Sequence, residues 1–378
     1  MNYGDKALEV HKKLRGKIGI ETKDDLDSLE KLSIYYTPGV GAVSSLLAKN
    51  PDETKNYTWT NNAVAVISDG SSVLGLGNIG PSASLPVMEG KAMIFKNFAG
   101  IDAVPIVLDV HTADEIVATI KAIAPSFGGI NLEDIAAPIC FEVESRLKAE
   151  LTIPVMHDDQ HGTAIVTLAG LINASKISGR SLKDSKIVCL GVGAAGTAIL
   201  KLIELYASPK ELIAVDSNGI LSSHRKDLNP EKQQLLDFTN SSDIGGSLAD
   251  ALVDADIFIG VSRPNTLSGS MIRSMGKDPI IFAMANPDPE ITPQAAYEAG
   301  ALIVATGRSD YPNQVNNALV FPGIFRGALD NNVKQITDDH KIKVAEALAS
   351  LVENPTKHEI IPSILDKRVV LTVARVII

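Results

Sequence analysis

Short apolar runs alternate with longer stretches of helical periodicity along most of this chain. Residues 63–67 are an unbroken apolar run that stops at Ser68-Asp69-Gly70, which predicts a buried strand and a turn. Residues 103–108 repeat the pattern up to Asp109, and residues 151–156 predict another strand. Beyond residue 186 the rhythm is cleaner, with apolar runs at 187–190, 212–215, 257–261, 280–283 and 302–305. Helical spacing covers 5–50 with a break at Pro38-Gly39, then 112–123 behind Thr112 as N-cap, 131–149 behind Asn131 as N-cap, 162–176, 194–206 and 338–353. Strands separated by helices pair in parallel, so the alternation predicts an α/β fold with parallel sheets. The expected division is an N-terminal α/β domain over 1–160, a Rossmann-type doubly wound domain over 161–335 and a C-terminal helical extension over 336–378. The apolar tail 369–378 is expected to be docked, because a free apolar terminus would aggregate.

Composition narrows the function classes. The chain has 378 residues, 45% of them hydrophobic, and a formal net charge of −10. No basic run is present, which argues against nucleic-acid partners. No apolar run approaches the ~20 residues of a membrane span, and the first twenty residues mix charges among apolar positions unlike a signal peptide. Cys140 and Cys189 have apolar neighbours and read as small buried hydrophobes rather than a disulfide. A cytoplasmic protein is expected.

Two segments match G-x-G-x-x-G. Gly191-Val192-Gly193-Ala194-Ala195-Gly196 follows a strand and opens a helix, and Asp216 ends the next strand twenty residues on. That context predicts a dinucleotide site. Glycine backbone approaches the pyrophosphate at a helix N-terminus, and the acid accepts from the ribose hydroxyls. Asp216 favours NAD, with NADP as the alternative if His224, Arg225 or Lys226 compensates its charge. Gly75-Leu76-Gly77-Asn78-Ile79-Gly80 also matches, but Pro81 and Pro86 follow closely and speak against a long helix there. This second loop is expected to border a cleft.

Acidic pairs stand at Glu133-Asp134 and Asp158-Asp159. Each can be read as helix-dipole or capping chemistry. Together they suggest a hard divalent cation, since carboxylate oxygens select Mg²⁺ or Mn²⁺. His157 and His161, four apart, keep zinc open as a rival. Taken alone, Tyr36 would be a turn aromatic and Lys91 a surface cation.

The whole set resembles the malic enzyme family of the short microbial type. The resemblance is carried by Tyr36-Thr37-Pro38-Gly39-Val40, Ser68-Asp69-Gly70, Leu74-Gly75-Leu76-Gly77 and Glu89-Gly90-Lys91. It continues through Phe127 to Asp134, His157-Asp158-Asp159, Gly162-Thr163-Ala164, Ala285-Asn286-Pro287, Asn316-Asn317 and Phe321-Pro322-Gly323. It covers roughly residues 8–365. It implies oxidative decarboxylation of (S)-malate to pyruvate and CO₂ with NAD or NADP and Mg²⁺ or Mn²⁺. By the same resemblance Glu133, Asp134 and Asp159 would be metal ligands. Lys91 would be the general base, Tyr36 the general acid, and Asp158 would orient Lys91. Asn286 and Asn317 would bind malate or the nicotinamide end, and Gly191, Gly193, Ala194, Ala195 and Gly196 would hold the pyrophosphate. It also implies a homodimer. One departure is Ser71-Ser72-Val73, where larger members commonly carry an arginine for a substrate carboxylate. An oxaloacetate decarboxylase of the same family, a simple malate dehydrogenase and a non-catalytic dinucleotide sensor are the alternatives.

Overall fold

The computed structural model describes residues 3–73 and 75–378. Leu74, the first residue of the Leu74-Gly75-Leu76-Gly77 motif, and Met1 lie outside the described residues. Four helices come first: α1 (Tyr3–Leu14), α2 (Leu29–Tyr35), α3 (Gly39–Lys49) and α4 (Thr54–Tyr57). The expected helical region thus breaks twice, over 15–28 and again at Pro38.

The first sheet is built from β1 (Ala63–Ser68), β2 (Asp102–Val107), β3 (Gly129–Leu132) and β4 (Val155–His157), crossed over by α5 (Pro81–Ala99), α6 (Ala113–Ile123) and α7 (Ile139–Glu150). Its order is β2-β1-β3-β4, all parallel, and every residue of β1 is buried. α6 starts where expected, with a reciprocal capping box between Thr112 and Glu115.

Two expectations fail here. α5 runs nineteen residues despite its prolines. Pro81 occupies the first turn, where a missing N–H costs nothing. Pro86 is carried because the helix packs along β1 and β2 and buries Met88, Ala92 and Phe95. Asn131, the expected cap of a helix over 131–149, lies in β3 opposite Val66 and Met156, and the helix waits until Ile139. Strand pairing overrides the local capping preference of Asn131.

α8 (Asp158–Ser178) leads out of β4 and into the second half, starting four residues earlier than the periodicity suggested. There follow β5 (Lys186–Leu190), α9 (Ala194–Ala207), β6 (Glu211–Asp216), β7 (Gly219–Ile220), α10 (Pro230–Leu235), α11 (Leu248–Leu252), β8 (Ile257–Gly260), α12 (Gly269–Arg273), β9 (Ile280–Ala283), α13 (Pro293–Glu298) and β10 (Ile303–Thr306). The sheet order is β10-β9-β8-β5-β6-β7, parallel except for the two-residue β7. This is the doubly wound Rossmann arrangement, with β5 central and the order reversing between β5 and β8.

The chain closes with α14 (Phe321–Asp330), α15 (Asp338–Ser350) and α16 (Arg368–Arg375). α14 returns to the first half, where Phe95 of α5 meets Phe321 and Phe325 at ring-centroid distances of 4.7 and 5.5 Å. Truncating such a buried ring costs about 3–5 kcal/mol. The tail is docked as expected: Val369, Val373 and Ile377 are buried, and Asn331 Nδ2 donates to Ile377 O. Both cysteines are free and buried.

Candidate active site

The register of the first sheet sets Ile67, Leu132 and His157 side by side at the ends of β1, β3 and β4. The residues that follow therefore emerge at one edge, the carboxyl ends of the strands, beside the point where the strand order reverses. Glu133 and Asp134 leave β3 there, and Asp158 and Asp159 open α8. Asp134 has a φ of +55°, a conformation that needs outside support in a residue with a Cβ. Two hydrogen bonds of its backbone supply it. Its N–H donates to Asp159 Oδ2 at 2.7 Å, and its carbonyl accepts from Ser72 N–H at 2.9 Å. Ser71 Oγ accepts from Ala136 N–H at 2.8 Å and donates to Asp69 Oδ1 at 2.6 Å. Ser71 and Ser72 are thus committed to bracing the acidic turn.

Lys91 reaches this edge from α5. Its Nζ donates to Asp158 Oδ2 at 2.5 Å and lies 2.8 Å from Glu133 Oε1 and 4.6 Å from the centre of the Phe321 ring. The side chain is 11% exposed, and Asp158 is fully buried. Burial by itself lowers the Lys91 pKa, but Asp158, Glu133 and Asp159 outweigh it and hold the ammonium above its ordinary range. Burial likewise pushes Glu133 well above the usual carboxylate range and Asp158 up to about 6, although Lys91 pulls both the other way. Asn131 Nδ2 donates to Glu133 Oε2 at 3.0 Å, so the residue misread as a cap steadies a carboxylate instead. Asp158 Oδ1 has no partner among the described residues. It lies against Gly162, where a Cβ would overlap it, and the same Cβ would come 2.9 Å from Asn317 Cβ. Asn317 therefore borders the Asp158 side of the cluster.

Carboxylate oxygens of Glu133, Asp134 and Asp159 fall within 4.8 Å of one another. Asp158 adds a fourth carboxylate beside the Lys91 ammonium. An all-oxygen, all-carboxylate set fits a hard divalent cation such as Mg²⁺ or Mn²⁺. The histidines do not join it. His161 Nε2 pairs with Glu144 Oε2 at 2.8 Å, and His157, fully buried, keeps its Nε2 3.7 Å from Asp159 Oδ2. Glu144, which the sequence did not single out, also accepts from His157 N–H at 3.0 Å and pairs with Lys148 at 2.7 Å.

The second sheet presents backbone instead of charge. Gly191 turns at φ +99°, and a Cβ there would meet Val261 O at 2.7 Å. A Cβ on Gly196 would overlap Gly191 O, so helix and strand close on each other only without one. Ala194 and Ala195 open α9 and leave first-turn amides free for an anion. A cleft of about 510 Å³ runs from Gly191 and Gly193 past Asp216 and Lys232 to Ser262 and Arg263. Asp216 is only 7% exposed. It accepts from Arg225 at 2.7 and 3.1 Å and from Lys232 at 2.7 Å, and these bonds hold its carboxyl below the ordinary range against the cost of burial. Of the three cations weighed in the sequence, Arg225 is the one that reaches Asp216. Lys232, sixteen residues on, was not foreseen.

Asn286 lies between the two poles. It is exposed, its carbonyl would be struck by a Cβ on Gly75, and its side-chain amide would be 3.3 Å from a Cβ on Gly307. The Gly75–Gly80 loop of the first half thus borders the loop after β9 of the second. Glu290, fully buried, anchors that loop by accepting from Ser262 N–H at 2.9 Å and Ala285 N–H at 3.0 Å. No sequence signal marked it. Tyr36 is not gathered in. It caps α2, is 67% exposed, and its hydroxyl bonds nothing among the described residues.

Residues 16–115 and 111–148 match the family model described as malic enzyme, N-terminal domain, and residues 160–378 match malic enzyme, NAD binding domain. A bifunctional malic/malolactic enzyme of Bacillus subtilis is 51% identical across all of this chain and 92% of its own length. An NADP-dependent malic enzyme of Halomonas elongata is 46% identical over 94% of this chain and 84% of its own. The crystal structure of an NAD-dependent malic enzyme from Thermotoga maritima superposes with a TM-score of 0.96 at 48% identity, covering 98% of both chains.

Proposed function

Since the chain belongs to the malic enzyme family, we propose that it oxidises and decarboxylates (S)-malate to pyruvate and CO₂, reducing a nicotinamide dinucleotide in dependence on Mg²⁺ or Mn²⁺. One observation carries the reading: three carboxylates that can share an ion stand beside a buried lysine, next to the cleft of a dinucleotide fold.

Glu133, Asp134 and Asp159 would hold the cation, which supplies a Lewis acid that polarises the C2 oxygen. Gly191, Gly193, Ala194, Ala195 and Gly196 would hold the pyrophosphate of a dinucleotide whose nicotinamide would supply the acceptor for the C2 hydride. Lys91 takes the C2 hydroxyl proton as that hydride leaves. A base must be free of its proton, so the carboxylates that now hold the Lys91 ammonium charged must have their charge drawn elsewhere, as a bound cation does. Asp158 keeps Nζ in place through the cycle. The C3–C4 bond then breaks, CO₂ departs, and the electron pair is left on C3 of the enolate. By the family resemblance Tyr36 would return a proton to C3, although within this chain it stands exposed and outside the set gathered around Lys91. Asn317, on the Asp158 side of the cluster, and Asn286, beside the Gly75 loop, would hold the substrate and the nicotinamide end.

Asp216 supports NAD through the ribose hydroxyls. Arg225 and Lys232 cancel its charge and could meet a 2′-phosphate, which supports NADP as a second cofactor. The exposed helices α1–α3 support a homodimer. No helix among the described residues is long and apolar enough to cross a membrane, and two free buried thiols suit the cytoplasm. The test is a steady-state assay with (S)-malate, NAD and NADP in parallel, with Mn²⁺ and with a chelator. Reduced cofactor and pyruvate in equal amounts, lost on chelation, are expected. Reduced cofactor without pyruvate would mean a simple dehydrogenase. Decarboxylation of oxaloacetate without malate oxidation would mean the decarboxylase reading.

A further inference from the structure

We propose that Glu144 is a positioning residue for the ionic edge: from α7 it caps the first turn of α8, which leaves Asp158 and Asp159 free to face Lys91 and a cation. The inference rests on the reading of Asp159, with Glu133 and Asp134, as a cation ligand, and names the group that aims the two acids of α8.

A helix begins with four N–H groups that have no partner inside it. Acids at its start ordinarily fold back onto those groups or onto the N-cap. His157 is the N-cap of α8, and Asp158 and Asp159 take the next two places. The His157 side chain makes no cap hydrogen bond, and neither of its ring nitrogens has a hydrogen-bond partner among the described residues. Both acids spend an oxygen elsewhere. Asp158 Oδ2 accepts from Lys91 Nζ, and Asp159 Oδ2 accepts from Asp134 N–H. The start of this helix therefore depends on a group from outside it.

Glu144 is that group. Its Oε1 accepts from His157 N–H at 3.0 Å, the bond that a glutamate at the third helical position makes in a capping box. The third position of α8 is Gln160, whose Nε2 donates to Glu144 Oε2 at 3.4 Å, and His161 Nε2 at the fourth is 2.8 Å from the same oxygen. One carboxylate thus holds the residue before the two acids and the two residues after them. At about 100° of turn per residue, positions 157, 160 and 161 fall on one side of α8 and positions 158 and 159 on the other. The Glu144 side chain is 7% exposed, and Lys148 Nζ stands 2.7 Å from its Oε1. Burial would raise its pKa, but His161 and Lys148 outweigh that and hold the carboxyl well below the ordinary range. A charged acceptor binds N–H donors more strongly than a neutral one. A plain ion pair would need Lys148 alone, whereas the other three bonds all go to the turn that carries the acids.

The test is a titration of the metal-free protein with Mn²⁺, read by the electron paramagnetic resonance of the free ion. Glu144→Gln is expected to weaken Mn²⁺ binding about 10- to 100-fold, the usual worth of a group that orients a metal ligand, while affinity for reduced cofactor stays within about twofold. Lys148→Met removes only the ion pair and should bind Mn²⁺ within about threefold of wild type. The exchange of Glu144→Gln with Gln160→Glu moves the carboxylate to the third position of α8, where it can form a local capping box, and should recover Mn²⁺ affinity to within about fivefold of wild type. Wild-type Mn²⁺ affinity in Glu144→Gln overturns the proposal. So does an exchange variant no better than the single one, or a Lys148→Met variant as weak as Glu144→Gln. Amide hydrogen exchange gives a second readout that needs no metal. Exchange over residues 157–161 should rise at least about tenfold in Glu144→Gln with β5 and β6 unchanged, and an unchanged rate at 157–161 rejects the cap. If the wild type binds no Mn²⁺, the cation reading falls while hydrogen exchange still judges Glu144.

Discussion

Where β1 and β3 part in the first sheet, the chain sets down Glu133 and Asp134 and turns Lys91 onto them. Where β5 and β8 part in the second, it sets down Gly191 and Gly193 and offers bare amides. Both use the carboxyl edge of a parallel sheet at a reversal of strand order. One concentrates charge on side chains, so it needs burial, bracing hydrogen bonds and a counter-ion. The other works by leaving side chains out, so it needs close approach of backbone to backbone. The first should be sensitive to changes of charge at constant volume and the second to added volume at constant charge.

The sharpest way to break this contrast is a reciprocal pair of variants. Lys91→Ala is expected to cut malate turnover by about 10³-fold or more while the affinity for reduced cofactor, read by fluorescence titration, stays within about twofold. Gly196→Ala should weaken cofactor binding by at least about 100-fold, through overlap with Gly191 O, and leave Mn²⁺ titration unchanged. A loss of both functions in either variant would mean that the two edges do not act separately.

A smaller effect is expected where the halves join. His161 lies on α8, and burial holds its ring down to about 4 despite the Glu144 carboxylate beside it. An unfolded histidine takes its proton near pH 6.5. Between those values the unfolded chain binds a proton that the folded chain refuses. Stability is therefore complete above pH 6.5 and falls as pH drops toward 4, by up to about 3 kcal/mol. His161→Gln should flatten the wild-type slope in thermal melts over that range, and an unchanged slope would remove His161 as its source.

The smallest concerns the ribose corner. Lys232→Ala should lower kcat/KM for NADP by about tenfold, the worth of one charged hydrogen bond, with NAD little affected. Equal changes for both cofactors would mean that Lys232 only neutralises Asp216.

Much of this was readable before any coordinates. The apolar runs located the strands of both sheets except β3 and the two-residue β7, because a strand covered on both faces has few polar positions to blur it. The glycine loop with Asp216 located the nucleotide cleft, and the four acids located the ionic edge. What escaped was settled by partners distant in sequence. The α5 prolines looked prohibitive because nothing local revealed how fully that helix packs on β1 and β2. Asn131 looked like a cap because its pairing with Val66 and Met156 is non-local. Glu290 and Lys232 gave no signal, since an isolated acid or lysine is usually a solvated one. The exposure of Tyr36 cannot be read from composition at all.

α8 connects what the contrast separates. Its twenty-one residues make a rod about 30 Å long. Asp158 and Asp159 stand at one end, its flank packs on α9 and α15, and near the other end Asn173 Nδ2 donates to Ala349 O and Ile360 O at 2.9 and 3.0 Å. A cut at residue 160 passes through this rod. The halves are for that reason poor currency for recombination. A hybrid spliced there would inherit its acids from one ancestor and the packing that aims them from another. Only a splice that keeps α8 with its neighbours would pass on a working geometry.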